Sequence, residues 1–380
     1  MILKRLRLEN FRRFTSSEIE FAKRLSVFVG INGAGKSSVL SAISTLLSWY
    51  VRRLVSPNGT GIGTSVLERD ISASALSSII TLVVEDGGKE VSWSLSKNAK
   101  GAPIFDARSD LKELNEYIKD LRENRLESVS IIAAYTVNRS VLDIPLRIKK
   151  RHDFSVLSAY DDSFDRAADF RRFFEWFREC EDVENERIAD TLTTGGVPYL
   201  ANSELSAVRR ALGRFLPEFS DWKIRRMPLR MEVKKAGIPL SIEQLSDGEK
   251  CMIALVGDLA RRLVVANPKR DEPLHGKGIV LIDEIELHLH PAWQKGVLPR
   301  LLEVFPNVQF VVTTHSPLVL AQLNSLLYRN MEDIRVFNMT SGTIDSLQDQ
   351  ETGLIVSSEM DKVANEVDAE FEALLNGRRE

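Results

Sequence analysis

Leu25-Ser26-Val27-Phe28-Val29 runs into Gly30-Ile31-Asn32-Gly33-Ala34-Gly35-Lys36-Ser37, and from Ser37 to Tyr50 the apolar residues recur at helical spacing. Strand, glycine-rich loop and helix in that order form the setting in which G-x-x-x-x-G-K-S holds phosphates. The glycines let backbone N–H groups turn inward and approach a β-phosphate, and the following helix presents the positive end of its dipole. Lys36 is expected to neutralise β and γ oxygens, and the Ser37 hydroxyl to bind Mg²⁺. Asn32, Gly33, Ala34, Gly35 and Ser38 complete the expected nucleotide-binding loop. An accidental glycine-rich turn would lack the flanking strand and helix.

Three later segments belong with this loop. Gly278-Ile279-Val280-Leu281-Ile282 is an apolar strand ending in Asp283-Glu284. A carboxylate at the C-terminal end of a parallel strand lies beside the phosphate loop, where Asp283 is expected to hold Mg²⁺ through water. Glu284 would orient or deprotonate the water facing the γ-phosphate. Val311-Val312-Thr313-Thr314-His315-Ser316-Pro317 puts an imidazole just after another apolar strand, within reach of the same groups. Glu284, His315 and Lys36 are therefore the expected catalytic residues. The third segment, Leu245-Ser246-Asp247-Gly248-Glu249-Lys250, has two readings. Ser246-x-x-Glu249 is a capping box that starts an ordinary helix through Met252, Leu255, Val256 and Leu259. With Gly248 permitting close approach, the same helix start is also an anion site.

Composition fits one large α/β domain or two closely joined lobes: 380 residues, 43% hydrophobic and 28% charged. Lys and Arg number 51 against 54 Asp and Glu, for a net charge of -3, so the whole molecule is no electrostatic magnet for DNA. Cys180 and Cys251 lack metal spacing, and a reduced, cytoplasmic chain with inert thiols is expected. The basic opening Met1-Ile2-Leu3-Lys4-Arg5-Leu6-Arg7-Leu8 has no apolar core or cleavage site behind it, and no membrane association is expected.

Ile2, Leu6 and Leu8 share a parity that Ile19 and Phe21 repeat, predicting strands ahead of the phosphate loop. Residues 56–71 read as a mobile Gly/Ser/Thr-rich loop, and strands resume at Ile79–Val84 and Glu90–Leu95 around the turn Asp86-Gly87-Gly88. Beyond Lys97 the pattern becomes helical, with a short heptad-like seam at Leu111, Leu114, Ile118 and Leu121. Phe170, Phe173, Phe174, Trp176 and Phe177 read as a helical core rather than a base-stacking platform, and Leu205, Val208, Leu212 and Phe215 mark a further helix. Met231–Ile242 is sheet-like, turning at Ala236-Gly237. The expected units are residues 1–96 and 223–345 as two halves of one head, 97–222 as an inserted helical lobe, and 346–380 as a tail.

Taken in order, these motifs resemble the ABC-type ATPase superfamily, in its RecF, SMC and OLD-like branch. The matching parts are Asn10-Phe11-Arg12-Arg13-Phe14 on the N-terminal strand, the phosphate loop, Leu-Ser-Asp-Gly-Glu-Lys as the signature, Asp283 to Pro291 as Walker B and D-loop, and Thr314-His315-Ser316 as the switch histidine. They span about two thirds of the chain, everything but the helical middle and tail. The resemblance implies an α/β fold, an ABC-type P-loop ATPase head with a mixed sheet and an inserted helical lobe. It also implies ATP and Mg²⁺ as ligands and a homodimer clamping two ATP molecules, with Ser246, Gly248 and Glu249 of one chain meeting the γ-phosphate bound by the other. Arg12 would touch the nucleotide as its family counterpart does. A higher oligomer is also open.

Within the branch the chain looks most like ATPases of bacterial antiphage defence, such as those of Septu-type and retron-associated systems. That kinship implies a sensor or regulator of a separate effector, a nuclease for preference, with nucleic acid as a candidate trigger. The alternatives are a RecF-like repair ATPase acting on DNA directly, a self-contained nuclease, and a transporter subunit. The short stretch beyond His315 shows neither a Toprim nor an HNH-like pattern, and the interval from Lys36 to Asp283 is too short for SMC arms. The family's Q-loop glutamine is missing, with Asn138 or Arg139 as candidate substitutes. His288 and His290 alternate on a loop without a metal-binding partner, and Arg147-Ile148-Lys149-Lys150-Arg151 reads as a solvated charge run before it reads as a nucleic-acid contact.

Overall fold

A computed structural model describes residues 1–101, 108–124, 127–137, 155–164, 170–194, 202–329, 333–340, 342–349 and 352–355. Its centre is a six-stranded sheet. The strands are β3 (Leu25–Val29), β6 (Ile131–Tyr135), β10 (Gly278–Ile282), β11 (Val308–Thr314), β12 (Ile334–Thr340) and β13 (Thr343–Ser346), in the order β13-β12-β3-β11-β10-β6. All neighbours are parallel except β12 and β13. The near-continuous apolar runs of β3, β6, β10 and β11 follow from this, because a parallel sheet is covered on both faces; every residue of the four is buried. Since β3 neighbours β11 and β11 neighbours β10, the loops leaving these strands emerge side by side.

The helix after the phosphate loop, α1 (Lys36–Val55), packs between this sheet and a second, antiparallel one. That sheet is β2-β1-β4-β5, with β1 at Ile2–Phe11, β2 at Phe14–Glu20, β4 at Ser77–Asp86 and β5 at Lys89–Asn98. Burial on both sides explains the breadth of the apolar surface of α1, with Val39, Ile43, Leu46, Leu47 and Tyr50 inside. Trp93 of β5 donates to the Leu46 carbonyl at 3.0 Å and fixes the helix against the sheet. Beneath the loop Phe28 stacks on Phe337 of β12, centroids 4.9 Å apart. Truncating such a ring costs about 3–5 kcal/mol.

Two sequence readings change here. The parity of Ile2, Leu6 and Leu8 gives way to Leu3, Leu6 and Leu8 as the buried set, because a bulge between Leu3 and Arg5 shifts the register against β4. Residues 56–71, expected as a mobile loop, are tied along α1. The Trp49 indole donates to the Thr64 carbonyl at 2.8 Å, and the Thr64 N–H donates to the Ser48 hydroxyl at 2.7 Å.

The range 97–222 is helical only in part. Helices α2 (Lys112–Asn124), α3 (Phe170–Thr194) and α4 (Ser203–Phe215) lie in it, but so does β6, the edge strand of the central sheet. Its other end, near 222, falls inside β7 (Phe219–Arg226), which pairs with β8 (Leu229–Lys235) and β9 (Ile238–Ser241) in a three-stranded sheet. Leu114, Ile118 and Leu121 of α2 pack on α1 and β5 rather than on a coiled-coil partner. The α3 aromatics are buried and face α5 (Asp247–Ala266); Phe173 lies so close to Gly257 that a Cβ there would meet its ring at 2.8 Å. Short helices α6 (Pro291–Gln294) and α7 (Val297–Val304) precede β11, and α8 (Pro317–Arg329) follows it. Among the described residues no helix is long and apolar enough to cross a membrane.

Candidate nucleotide site

Gly30 leaves β3 with φ 148°, and a Cβ there would lie 2.3 Å from the Met339 carbonyl oxygen of β12, so only glycine lets the loop turn here. Gly35 caps α1 and offers no side-chain acceptor, so the helix opens toward the cleft with its dipole end uncovered by a cap. The loop and helix start face a cleft of about 290 Å³ lined by Asn32, Gly33, Gly35, Lys36, Ser37 and Ser38. Arg12, Arg13, Glu284 and His315 close it. Ala34 is buried behind, its N–H donating to the Ile31 carbonyl at 3.2 Å.

The strand ends bring the expected chemistry together. Ser37 Oγ donates to Asp283 Oδ1 at 3.2 Å, and Thr313 Oγ1 donates to the same oxygen at 2.6 Å. Thr313 also accepts the Glu284 N–H at 2.8 Å, so one hydroxyl of β11 orients both residues after β10. Glu284 has φ 48°, a region costly for a non-glycine residue, and thereby turns its carboxylate toward His315. The two side chains stand 3.6 Å apart, Nε2 to Oε1.

Lys36 Nζ lies 2.6 Å from the Gly30 carbonyl, 2.8 Å from the Ile31 carbonyl and 3.3 Å from His315 Nδ1. An ammonium only donates, so Nδ1 is the acceptor and the ring proton sits on Nε2, facing Glu284. The His315 backbone N–H donates to Glu286 Oε1 at 2.5 Å. Ser316 caps α8 by accepting the N–H groups of Leu318 and Val319, and donates to Gln294 Oε1 at 2.5 Å.

These residues suit a nucleotide and a divalent cation. Gly33, Gly35 and the Lys36 ammonium stem line the cleft, and Ser37 and Asp283 offer a hydroxyl and a carboxylate, the hard oxygen donors Mg²⁺ takes. Arg12 reaches the cleft, but its guanidinium also holds Asp70 at 2.9 Å, Ser38 at 3.3 Å and Ser41 at 3.1 Å, bracing the first turn of α1.

Ser246, Gly248 and Glu249 do not line this cleft. The capping box is formed: Ser246 Oγ accepts the Glu249 N–H at 3.4 Å, and Glu249 Oε2 accepts from the Ser246 N–H and hydroxyl at 2.8 Å each. Glu249 also pairs with Lys235. Burial opposes its ionisation, but the bonds from Lys235 and Ser246 hold its carboxyl below the usual range. Gly248 lies against the chain's own D-loop, where a Cβ would meet the His288 carbonyl oxygen at 2.4 Å. Within one chain these residues therefore start α5 and seat it on 284–290. His290 Nδ1 accepts the Ala292 N–H and caps α6. Asn138, Arg139 and the basic run 147–151 lie outside the described residues.

Arg13, Thr313 and Glu286 were not singled out from the sequence. Arg13 lies within the quoted Asn10–Phe14 motif and brings its guanidinium to 3.7 Å from where a Gly33 Cβ would stand. Glu286 was one more acid in an alternating run, and Thr313 is a hydroxyl at the end of a mostly apolar strand with 0% exposure.

A family model described as "AAA domain, putative AbiEii toxin, Type IV TA system" matches residues 25–321. The chain is 33% identical over 408 residues to the retron Ec83 probable ATPase of Escherichia coli, covering 90% of this chain and 74% of that protein. It is 33% identical over 376 residues to the retron Vc95 probable ATPase of Vibrio cholerae serotype O1 biovar El Tor, covering 86% and 70%. Among solved structures, the Smc head bound to the C-winged helix domain of ScpA has the same fold, with TM-score 0.52 at 17% identity over 91% of this chain and 97% of that one.

Proposed function

The chain belongs to this AAA-domain family of ATPases, and on that premise we propose that it is a dimeric, ATP-driven regulator of a separate effector, a nuclease, in bacterial antiphage defence. Two copies clamp two ATP molecules, each nucleotide held by the Lys36 loop of one copy and the Ser246 helix start of the other. The observation that carries this reading is the division of the site. Lys36, Glu284 and His315 share one cleft, and the signature residues of the same chain stand outside it.

In this reading Lys36 exchanges its loop carbonyls for phosphate oxygens. Mg²⁺, when bound, neutralises charge on the β- and γ-phosphates, and Ser37 and Asp283 are the residues that would hold it. Glu284 orients the attacking water and accepts its proton, while His315 presents its Nε2–H to the same region. The link to an effector rests on the kinship with retron ATPases.

Purified chain with Mg²⁺ or Mn²⁺ should hydrolyse ATP and lose that activity in Lys36→Ala, while cutting none of a panel of DNA and RNA substrates. Reproducible cleavage that disappears with a named residue of this chain would overturn the separate-effector model. Purification from the native host should bring the effector with it.

A further inference from the structure

Outside the cleft, a buried polar cluster joins the two surfaces that the proposed function brings to the nucleotide. Asp258 sits on α5 with 0% exposure, roughly three turns from the helix start. Its Oδ1 accepts from Arg261 at 3.2 and 2.6 Å. Its Oδ2 accepts from Arg262 Nε at 2.8 Å and from the Tyr135 hydroxyl at 2.9 Å. Arg262 continues to the Ala159 and Asp161 carbonyls at 2.7 and 2.9 Å and to the Ser163 hydroxyl at 3.2 Å. The Ser163 carbonyl then takes the N–H of Ala134, next to Tyr135, at 2.8 Å.

Tyr135 is the last residue of β6, opposite Ile282 of β10, and its carbonyl accepts the Asp283 N–H at 2.8 Å. One residue is thus held by α5 through its side chain and holds Asp283 through its backbone. Apolar side chains of similar size would bury as well or better than this charged cluster, so stability alone does not call for it. What the cluster adds is direction. An apolar contact between helix and strand tolerates sliding, whereas a phenol bonded to a buried carboxylate holds one register.

We propose that Tyr135 is a positioning residue: it makes the placement of Asp283 depend on the placement of α5, so that engagement of the α5 start by the nucleotide of a partner copy is transmitted to the carboxylate expected to hold the metal. The proposal rests on the shared-site reading above.

The test is Tyr135→Phe in the full chain, which removes the hydroxyl and keeps the ring. The expected result is a kcat lowered about tenfold or more, the size of one lost hydrogen bond to a charged group felt wholly in the transition state. KM for ATP should stay unchanged, and in a Glu284→Gln background the ATP-dependent crosslink between heads should persist. Combined with Ser246→Arg, the substitution should slow turnover no further than Ser246→Arg alone, since both break one link. Wild-type kcat in Tyr135→Phe, whatever its melting temperature, overturns the proposal, as does a loss that multiplies with that of Ser246→Arg. If instead Ser246→Arg itself leaves hydrolysis and crosslink unchanged, the shared site is absent and the proposal falls with it.

Discussion

At Glu284 the backbone adopts φ 48°, while its N–H is fixed by Thr313. Holding a non-glycine residue there costs about 1–3 kcal/mol, a strain found where a side chain must be aimed. In the proposed function the carboxylate so aimed acts on water rather than on the nucleotide. Glu284→Gln is therefore expected to keep ATP affinity while slowing turnover by roughly two orders of magnitude or more; equilibrium binding and single-turnover hydrolysis check both halves, and a wild-type rate would remove Glu284 from the chemistry. Gly30→Ala should act through the backbone. Its Cβ would collide with the Met339 carbonyl, so a loss of about 1–3 kcal/mol in urea unfolding is expected together with weakened ATP binding. At this scale the sequence was most readable where motif spacing fixes which residues come together. Lys36, Ser37, Asp283, Glu284 and His315 meet around one cleft as their positions implied. Thr313 and Glu286 could not be read, because what matters about them is the partner across a strand boundary and not the local pattern.

Among the elements, α5 carries the most weight. Its N-terminus is capped by Ser246 and Glu249, its Gly248 rests on the D-loop, and its Asp258 reaches β6. Burial opposes the Asp258 charge, but Arg262 and Arg261 hold its pKa at about 2, down from 3.8. A depressed folded-state value means stability that is complete above the unfolded value and lost as pH falls toward the folded one. The gap in unfolding free energy between wild type and Asp258→Asn is thus expected to be about 3–5 kcal/mol. It should stay level between about pH 8 and 5 and shrink below 3.8 toward about 2. Urea titrations across that range test it, and a gap independent of pH down to 2 would mean the pairing with Arg261 and Arg262 is not what holds the carboxyl. The strand that receives this helix was hidden in the sequence. Ile131 to Tyr135 is a short apolar run, for which periodicity cannot separate strand from buried helix, and it sits between the helices α2 and α3. β7 was missed for a related reason: a bulge between Ser220 and Lys223 breaks its alternation.

For the whole molecule, the fold was legible through the resemblance: phosphate loop, signature, acidic strand end and histidine in that order resemble an ABC-type head, and the Smc head has the same fold. The expected homodimer came from the resemblance alone, because a surface proposed to close on a second copy leaves no periodic trace in the chain. Within one head the Ser246 helix start is complete as a cap and stands apart from the cleft around Lys36. The proposed function requires the γ-phosphate to bridge that gap between two copies, so that ATP stabilises the closed dimer and hydrolysis releases it. Sedimentation of Glu284→Gln, with and without Ser246→Arg, measures this directly. Dimer should be favoured by ATP over ADP in Glu284→Gln, and that preference should vanish with Ser246→Arg while ATP still binds at Lys36; an ATP-dependent dimer that survives Ser246→Arg with unchanged hydrolysis would contradict the shared site.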